Sequence, residues 1–344
     1  MYLVIQVIAY FLCISFLALV DIGEKYKYRS IIFSILVVFL IFITGFRDGN
    51  IVRDYGTYKG IYEHGNNYLE PSFLIFRYIF KYILNLKIEW LMLFYALLAI
   101  SIKVIAIKEL TRYWYLSLMV FVCDLLLLHE FTQIRVAVAV SFLLLSIKYI
   151  YSREKMKFAL CCIFAIFFHI SALIIVPLWF FNTKKINLKL CFFIIFLGYI
   201  IAIIKFNPLK LLYYIPVPYI KNRVYYYLTQ IDNKITTNIF SLFFIMKIFL
   251  FSILLLKHKI IIQYNKYSYI FLKIQLFSII SLLIFSQNIA ASSRISDLYS
   301  GVEILLFPLL PVVIKEKETA RMILFFICVL IICIRIFKQN LIII

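Results

Sequence analysis

Long, nearly uncharged apolar runs recur from one end of this chain to the other, and most reach or approach 18 residues. Coiled as a helix, a run of about 18–20 residues crosses the hydrocarbon core of a bilayer. Hydrophobic residues make up 65% of the 344, against roughly half in a soluble domain. A β-barrel does not fit, because barrel strands alternate polar and apolar residues while these runs are continuous. The expected fold is therefore an all-α polytopic membrane protein of about 10–12 transmembrane helices, a single integral membrane domain over 1–344. Spans are expected at 2–20, 31–45, 89–107, 113–129, 134–150, 190–204, 239–256, 268–286, 297–314 and 322–340. The first has no basic residues before it and is longer than a signal-peptide core, so it reads as a retained helix.

The net charge is +20. Nucleic acid is not the expected partner, because the cations lie in short clusters between apolar runs, where they set topology. The seven cysteines, Cys13, Cys123, Cys161, Cys162, Cys191, Cys328 and Cys333, all fall inside apolar runs, with no CxxC pair and no Cys/His metal spacing. They read as small buried residues, and no metal or cofactor is expected.

The basic clusters are Lys25/Lys27/Arg29, Lys108/Arg112, Arg153/Lys155/Lys157, Lys184/Lys185/Lys189, Lys257/Lys259/Lys266 and Lys315/Lys317/Arg321. Placing all six in the cytoplasm raises a parity problem at two segments, 71–88 and 158–181. In one solution 71–88 is an interfacial helix, with Arg77 and Lys81 on one face. Segment 158–181 is then a re-entrant hairpin broken near His169 and Ser171, which needs a protein-lined cavity. In the other, both segments cross, and the Lys108 and Lys155 loops move outside. The charge rule prefers the first. It puts loop 46–70, the large loop 205–238, Arg135 and Arg294 on the outer side. Loop 205–238 carries Lys205, Lys210, Lys221, Arg223 and Lys234 against Asp232. Either long loops escape the charge rule, or this face handles anions.

Four constellations carry the candidate chemistry. In "GFRDGNIVRDYGTYKGIYEHG", Arg47 and Arg53 offer guanidinium forks for phosphate or carboxylate. Asp48 and Asp54 offer carboxylates, and Tyr55, Tyr58 and Tyr62 recur at helical spacing, suggesting a short helix with one aromatic face. The plain reading is a solvated loop with an interface anchor. Arg135 opens a span just after His129 and Glu130, as a snorkelling anchor also does. His169 lies in "IAIFFHISALIIVPLW", where a packed histidine is the ordinary reading, although at membrane depth such a residue is more often functional. Arg294 and Asp297 share "NIAASSRISDLY", where a helix-end ion pair would also serve.

Together these segments, in this order, resemble the EpsG-type branch of the bacterial Wzy-like polysaccharide polymerases, over most of the chain. Arg47, Asp54 and Tyr58 occupy the places of that family's first-loop arginine, aspartate and tyrosine. "EPSF" (Glu70–Phe73), "QIRVAVAVSFLLLSIKYIYSREKMKF", "IAIFFHISALIIVPLW" and "AASSRISDLY" are similar to its later segments. Arg53 departs from the pattern, which has a small residue before the aspartate.

The resemblance implies a glycosyltransferase that moves a glycan from polyprenyl pyrophosphate to a sugar hydroxyl of another lipid-linked unit, on the outer face of the cytoplasmic membrane. The implied partners are the polyprenyl pyrophosphate-linked oligosaccharide, membrane lipid and a chain-length regulator. Arg47, Arg53, Arg135 and Arg294 are then candidates for holding pyrophosphate. Tyr58 is a candidate for stacking on or hydrogen-bonding a sugar. His169 and Asp54 are candidates for activating the acceptor. Asp124, Lys247 and Glu303, inside spans, are expected to line the cavity or pair with one another. The glycines of the first loop are expected to make room for a bulky lipid-linked sugar. The alternatives are another polyprenyl-linked-sugar glycosyltransferase holding a divalent metal on Asp48 and Asp54, an O-antigen ligase or O-acyltransferase, and a flippase of lipid-linked oligosaccharide.

Overall fold

The computed structural model describes residues 2–20, 27–65, 70–212, 214, 221, 224–225, 229, 236–339 and 341. Lys25, Arg223, Asp232, Lys234 and the stretch 66–69 of the first loop lie outside the described residues. Among those described, the elements are helices and no strand occurs. Six helices are long and apolar enough to cross a membrane: α1 (Tyr2–Leu19), α5 (Ile88–Leu110), α6 (Trp114–Thr132), α7 (Ile134–Ser152), α13 (Ile289–Val313) and α14 (Lys317–Lys338). Among the described residues five shorter apolar helices stand beside them: α2 (Arg29–Gly45), the 3-10 segment Ile170–Phe180, α9 (Leu188–Ile203), α10 (Leu242–Leu256) and α12 (Ser268–Ile284). The protein is a multi-pass membrane protein.

These helices are apolar on most sides, as lipid-facing helices must be. Their outward rows remain exposed, for example Ile31, Ile35, Val38 and Phe42 on α2. Helix α6 is different, because from Tyr115 to Thr132 it is buried in the middle of the bundle. Its second half, Phe121–Thr132, is wound as a π-helix and carries Asp124, His129 and Glu130 into the interior.

Direct contacts collect the six basic clusters on one face. Arg29 donates to the carbonyl of Arg112, and Arg112 donates to that of Tyr264. Lys266 lies over the rings of Tyr151 and Tyr267. Lys148 pairs with Glu109 at 2.9 Å. Arg153 donates to the carbonyls of Trp179 and Phe181, each at 2.6 Å. The short helix α11 (His258–Tyr264) packs on residues 310–313, next to the Lys315 cluster.

Both ambiguous segments therefore stay on the side from which they start. α8 (Lys155–Phe168) rises from the basic face, the chain breaks at His169, and the 3-10 segment Ile170–Phe180 descends to Arg153. Phe158 and Trp179 meet near the base at 5.2 Å. The two arms match in length: 14 α residues rise about 21 Å and 11 3-10 residues about 22 Å. His169 is thus the tip of a hairpin.

At the other face, α3 (Tyr55–His64) buries Tyr55, Tyr58 and Tyr62, as the i, i+3, i+7 spacing predicts. α4 (Pro71–Tyr78) and the π turn Ile79–Ile83 run beside it. Arg77 donates to the carbonyl of Tyr62 at 2.8 Å and Lys81 to that of Glu63, capping the C-terminal end of α3 with cations. The Tyr62 hydroxyl donates to the carbonyl of Leu86 at 2.7 Å, so the chain returns to α3 before α5 begins. Both ends of 70–86 thus lie on one face, as an interfacial helix requires.

The start of α13 departs furthest from what its hydropathy indicates. α13 starts at Ile289 rather than at 297, because "AASSR" is helical and its serines bond back to the carbonyls three residues before.

Candidate functional site

The face opposite the basic clusters gathers side chains from four parts of the chain. Glu70 precedes α4, Arg135 lies in the first turn of α7, His169 is the hairpin tip, and Tyr58 belongs to α3. The Glu70 carboxylate bridges two of the others: one oxygen meets His169 Nδ1 at 2.7 Å, and the second pairs with the Arg135 guanidinium. The guanidinium lies 5.6 Å from the centre of the Tyr58 ring. A carboxylate on Nδ1 selects the tautomer with the proton there, leaving Nε2 as the basic nitrogen.

Asp54, just ahead of α3, lies in the electrostatic field of Arg53, Arg135 and Arg294. Its side chain does not cap the helix. Burial pushes its carboxyl above the ordinary aspartate value, and the three arginines oppose that shift. Arg294 is exposed on the second turn of α13 and Arg53 is exposed beside Asp54. Two glycine-sized gaps help bring these elements together. A Cβ on Gly301 would stand 2.4 Å from Val140, so α13 approaches α7 at a distance only glycine permits. A Cβ on Gly45 would stand 2.7 Å from the Leu93 backbone, which seats the end of α2 against α5.

Arg47 takes a different place. It is buried beneath α3, between the rings of Tyr55 and Phe131, each 5.8 Å away. It donates to the Thr44 carbonyl at 2.7 Å and to Met92 Sδ at 3.3 Å. Burial lowers its guanidinium to about 10, which leaves it charged at neutral pH. It also lines a pocket of about 340 Å³ with Asp48, Tyr55, Lys59 and Glu89.

Two expectations change. Tyr58 was expected to offer a face to a sugar, but it is only 6% exposed, packed on Phe73 and covered by Arg135. Its ring supports the guanidinium instead. The loop glycines were expected to leave room for a bulky ligand. The space at Gly45 is taken by Leu93 and that at Gly49 by Tyr55, and only Gly56 and Gly60 face open space.

The charges inside the spans pair with one another. Lys247 contacts Asp124 at 2.9 Å and Glu303 at 2.8 Å, and Arg335 Nε donates to Asp124 at 2.9 Å. Gln275 donates to Glu303 at 2.8 Å. On another side of α6, Lys103 bonds Glu130, the Ala137 carbonyl and Ser141. Among the described residues no group of three His, Cys, Asp or Glu side chains is placed to hold a metal ion.

Sequence reading passed over Glu70, Lys103 and Arg335 as candidates. For Glu70 a signal existed in "EPSF", where a carboxylate precedes a proline that starts a helix. Nothing local points to the partners of Lys103 or Arg335.

A family model described as the EpsG family matches residues 30–342. No curated protein and no solved structure matches the chain.

Proposed function

The chain belongs to the EpsG family, a family of polysaccharide-polymerase type, and from that premise we propose that it polymerises lipid-linked oligosaccharide repeat units. In this reading the glycan passes from polyprenyl pyrophosphate to a sugar hydroxyl of a second lipid-linked unit. The site faces outward from the cytoplasmic membrane, with the basic clusters on the cytoplasmic side. The observation that carries the proposal is the Glu70 bridge between His169 and Arg135. It places a basic nitrogen and a fixed cation side by side, at the face where Arg294 and Asp54 also stand.

The reaction forms a bond between the acceptor oxygen and the anomeric carbon and breaks the bond from that carbon to the pyrophosphate oxygen. The acceptor hydroxyl proton passes to His169 Nε2, and Glu70 stabilises the imidazolium that results. Arg135 and Arg294 meet the charge that develops on the leaving polyprenyl pyrophosphate. Arg53 adds to that field, while Arg47, already bonded to Thr44 and Met92, holds α3 in place. Asp54 keeps the arginines apart and oriented. A chain-length regulator would act from the same outward face.

The test supplies purified lipid-linked repeat units to the protein in liposomes without nucleotide sugar. Elongation is expected. Arg135→Ala and Arg294→Ala should each lower it by about 100-fold or more, and Arg135→Lys should restore little, because a point charge does not replace a fork. Redistribution of the units across the bilayer without elongation overturns the proposal. Near-normal chain length in both alanine variants overturns the arginine assignment.

A further inference from the structure

The face opposite the site holds an open pocket that the proposed reaction does not use. It has a volume of about 510 Å³, and its polar lining comes from three separate parts of the chain. Arg29 arrives from the start of α2, Lys108, Arg112 and Trp114 from the α5–α6 turn, and Tyr264 and Lys266 from the end of α11 and the turn after it. Topology requires cations on this side of the membrane. It does not require four of them, from three segments, around one concavity.

Their arrangement is built. Arg29 is buried and lies over Trp114, 4.0 Å from the ring centre, with its guanidinium bonded to the Arg112 carbonyl. Lys108 lies 5.4 Å from the same ring, and Arg112 lies 5.5 Å from that of Tyr264. Aromatic faces position a cation without neutralising it, whereas a carboxylate does both. The acid on the pocket's lining, Glu109, is engaged by Lys148. Among the described residues Lys108, Arg112 and Lys266 have no carboxylate partner. These three positive charges therefore face a concave space beside the stacked Arg29.

One residue beyond Arg29, an apolar groove of about 400 Å³ opens on the outward side of α2, lined by Ser30, Ile31, Ser34, Ile35 and Val38. It starts at the level of the pocket and follows the helix into the apolar layer. A headgroup site beside an acyl-chain groove has this form.

We propose that this pocket binds a phosphoryl anion, carried either by the headgroup of an anionic phospholipid of that leaflet or by a soluble phosphate. Guanidinium and ammonium donors on an aromatic floor suit a phosphate diester or monoester. The groove suits the lipid form, whose chain would lie along α2.

The chain has 3 tryptophans, so Trp90→Phe with Trp179→Phe leaves Trp114 as the sole reporter in the full-length protein. Its emission is followed in neutral detergent during titration with inorganic phosphate at constant ionic strength. In parallel it is followed in nanodiscs of phosphatidylcholine with rising phosphatidylglycerol. A saturable change is expected with phosphatidylglycerol and not with phosphatidylcholine alone. Lys108→Gln with Arg112→Gln should weaken it about tenfold or more, since each removes a charge-assisted contact. The exposed Lys266→Gln, which carries little risk to folding, should shift it the same way by less. A saturable response to phosphate and none to phosphatidylglycerol supports the site and assigns a soluble ligand. No saturable response to either probe, or responses unchanged in the Lys108/Arg112 and Lys266 variants, overturns the proposal.

Discussion

Glu70 carries more of the candidate site than its place in the sequence suggests. It is separated from Arg135 by 65 residues and from His169 by 99, so no local pattern connects the three. Its carboxylate fixes the tautomer of one partner and the direction of the other. Glu70→Gln keeps the size of the side chain but removes its charge. The expected result is elongation reduced about 100-fold with an unchanged elution profile on gel filtration, because orienting carboxylates of this kind contribute on that scale. Wild-type elongation in this variant would remove Glu70 from the mechanism.

Asp54 gives a second test at the same scale, with a defined sign. Its folded-state pKa lies above the unfolded value because of burial, so folding disfavours its charged form. The stability linked to it is full below the unfolded pKa and is lost as pH rises through the folded one. Asp54→Asn lifts that penalty. Its melting temperature should equal or exceed that of the wild type at pH near 7, and the difference should shrink towards pH about 4. A melting temperature below that of the wild type at neutral pH would mean that the arginines, rather than burial, dominate this carboxylate.

Among the elements, the hairpin and the buried charge network do different work. The hairpin lifts one histidine from a basic base to the opposite face and back, and the shorter descent in residues is met by the greater rise of the 3-10 winding. The network ties α6, α10, α12, α13 and α14 together through Asp124, Lys247, Gln275, Glu303 and Arg335. Buried pairs of this kind cost desolvation to form, and losing one member leaves its partner uncompensated. Arg335→Met should destabilise the protein by about 3–5 kcal/mol, read as a fall in thermal unfolding temperature in detergent. Arg335→Met with Asp124→Asn should recover part of that loss. If the single variant unfolds like the wild type, the network contributes little.

For the whole molecule, the proposed orientation makes one direct prediction. Lys59 is exposed on α3, at the site face, and Lys266 is exposed at the basic face. With the native cysteines replaced by serine, Lys59→Cys should react with a membrane-impermeant maleimide in intact cells. Lys266→Cys should react only after the membrane is opened. The reverse result would invert the orientation and overturn an outward-facing site.

Much of this architecture was legible in the order of residues. Apolar runs of spanning length fix membrane insertion and the helical state, because unpaired backbone groups in lipid are too costly for other arrangements. The Tyr55, Tyr58 and Tyr62 spacing marked α3, and the charge rule singled out 71–88 and 158–181 as the two segments whose crossing it disfavours. Each of these signals is periodic or additive along the chain, so a linear reading recovers it. The convergence of Glu70, Arg135 and His169, the burial of Arg47 and the covering of Tyr58 by a guanidinium depend on which helices become neighbours. That choice is made by close packing at positions such as Gly45 and Gly301 and by the buried charge pairs around α6. Those are contacts between residues tens to hundreds of positions apart, and only the folded chain brings them together.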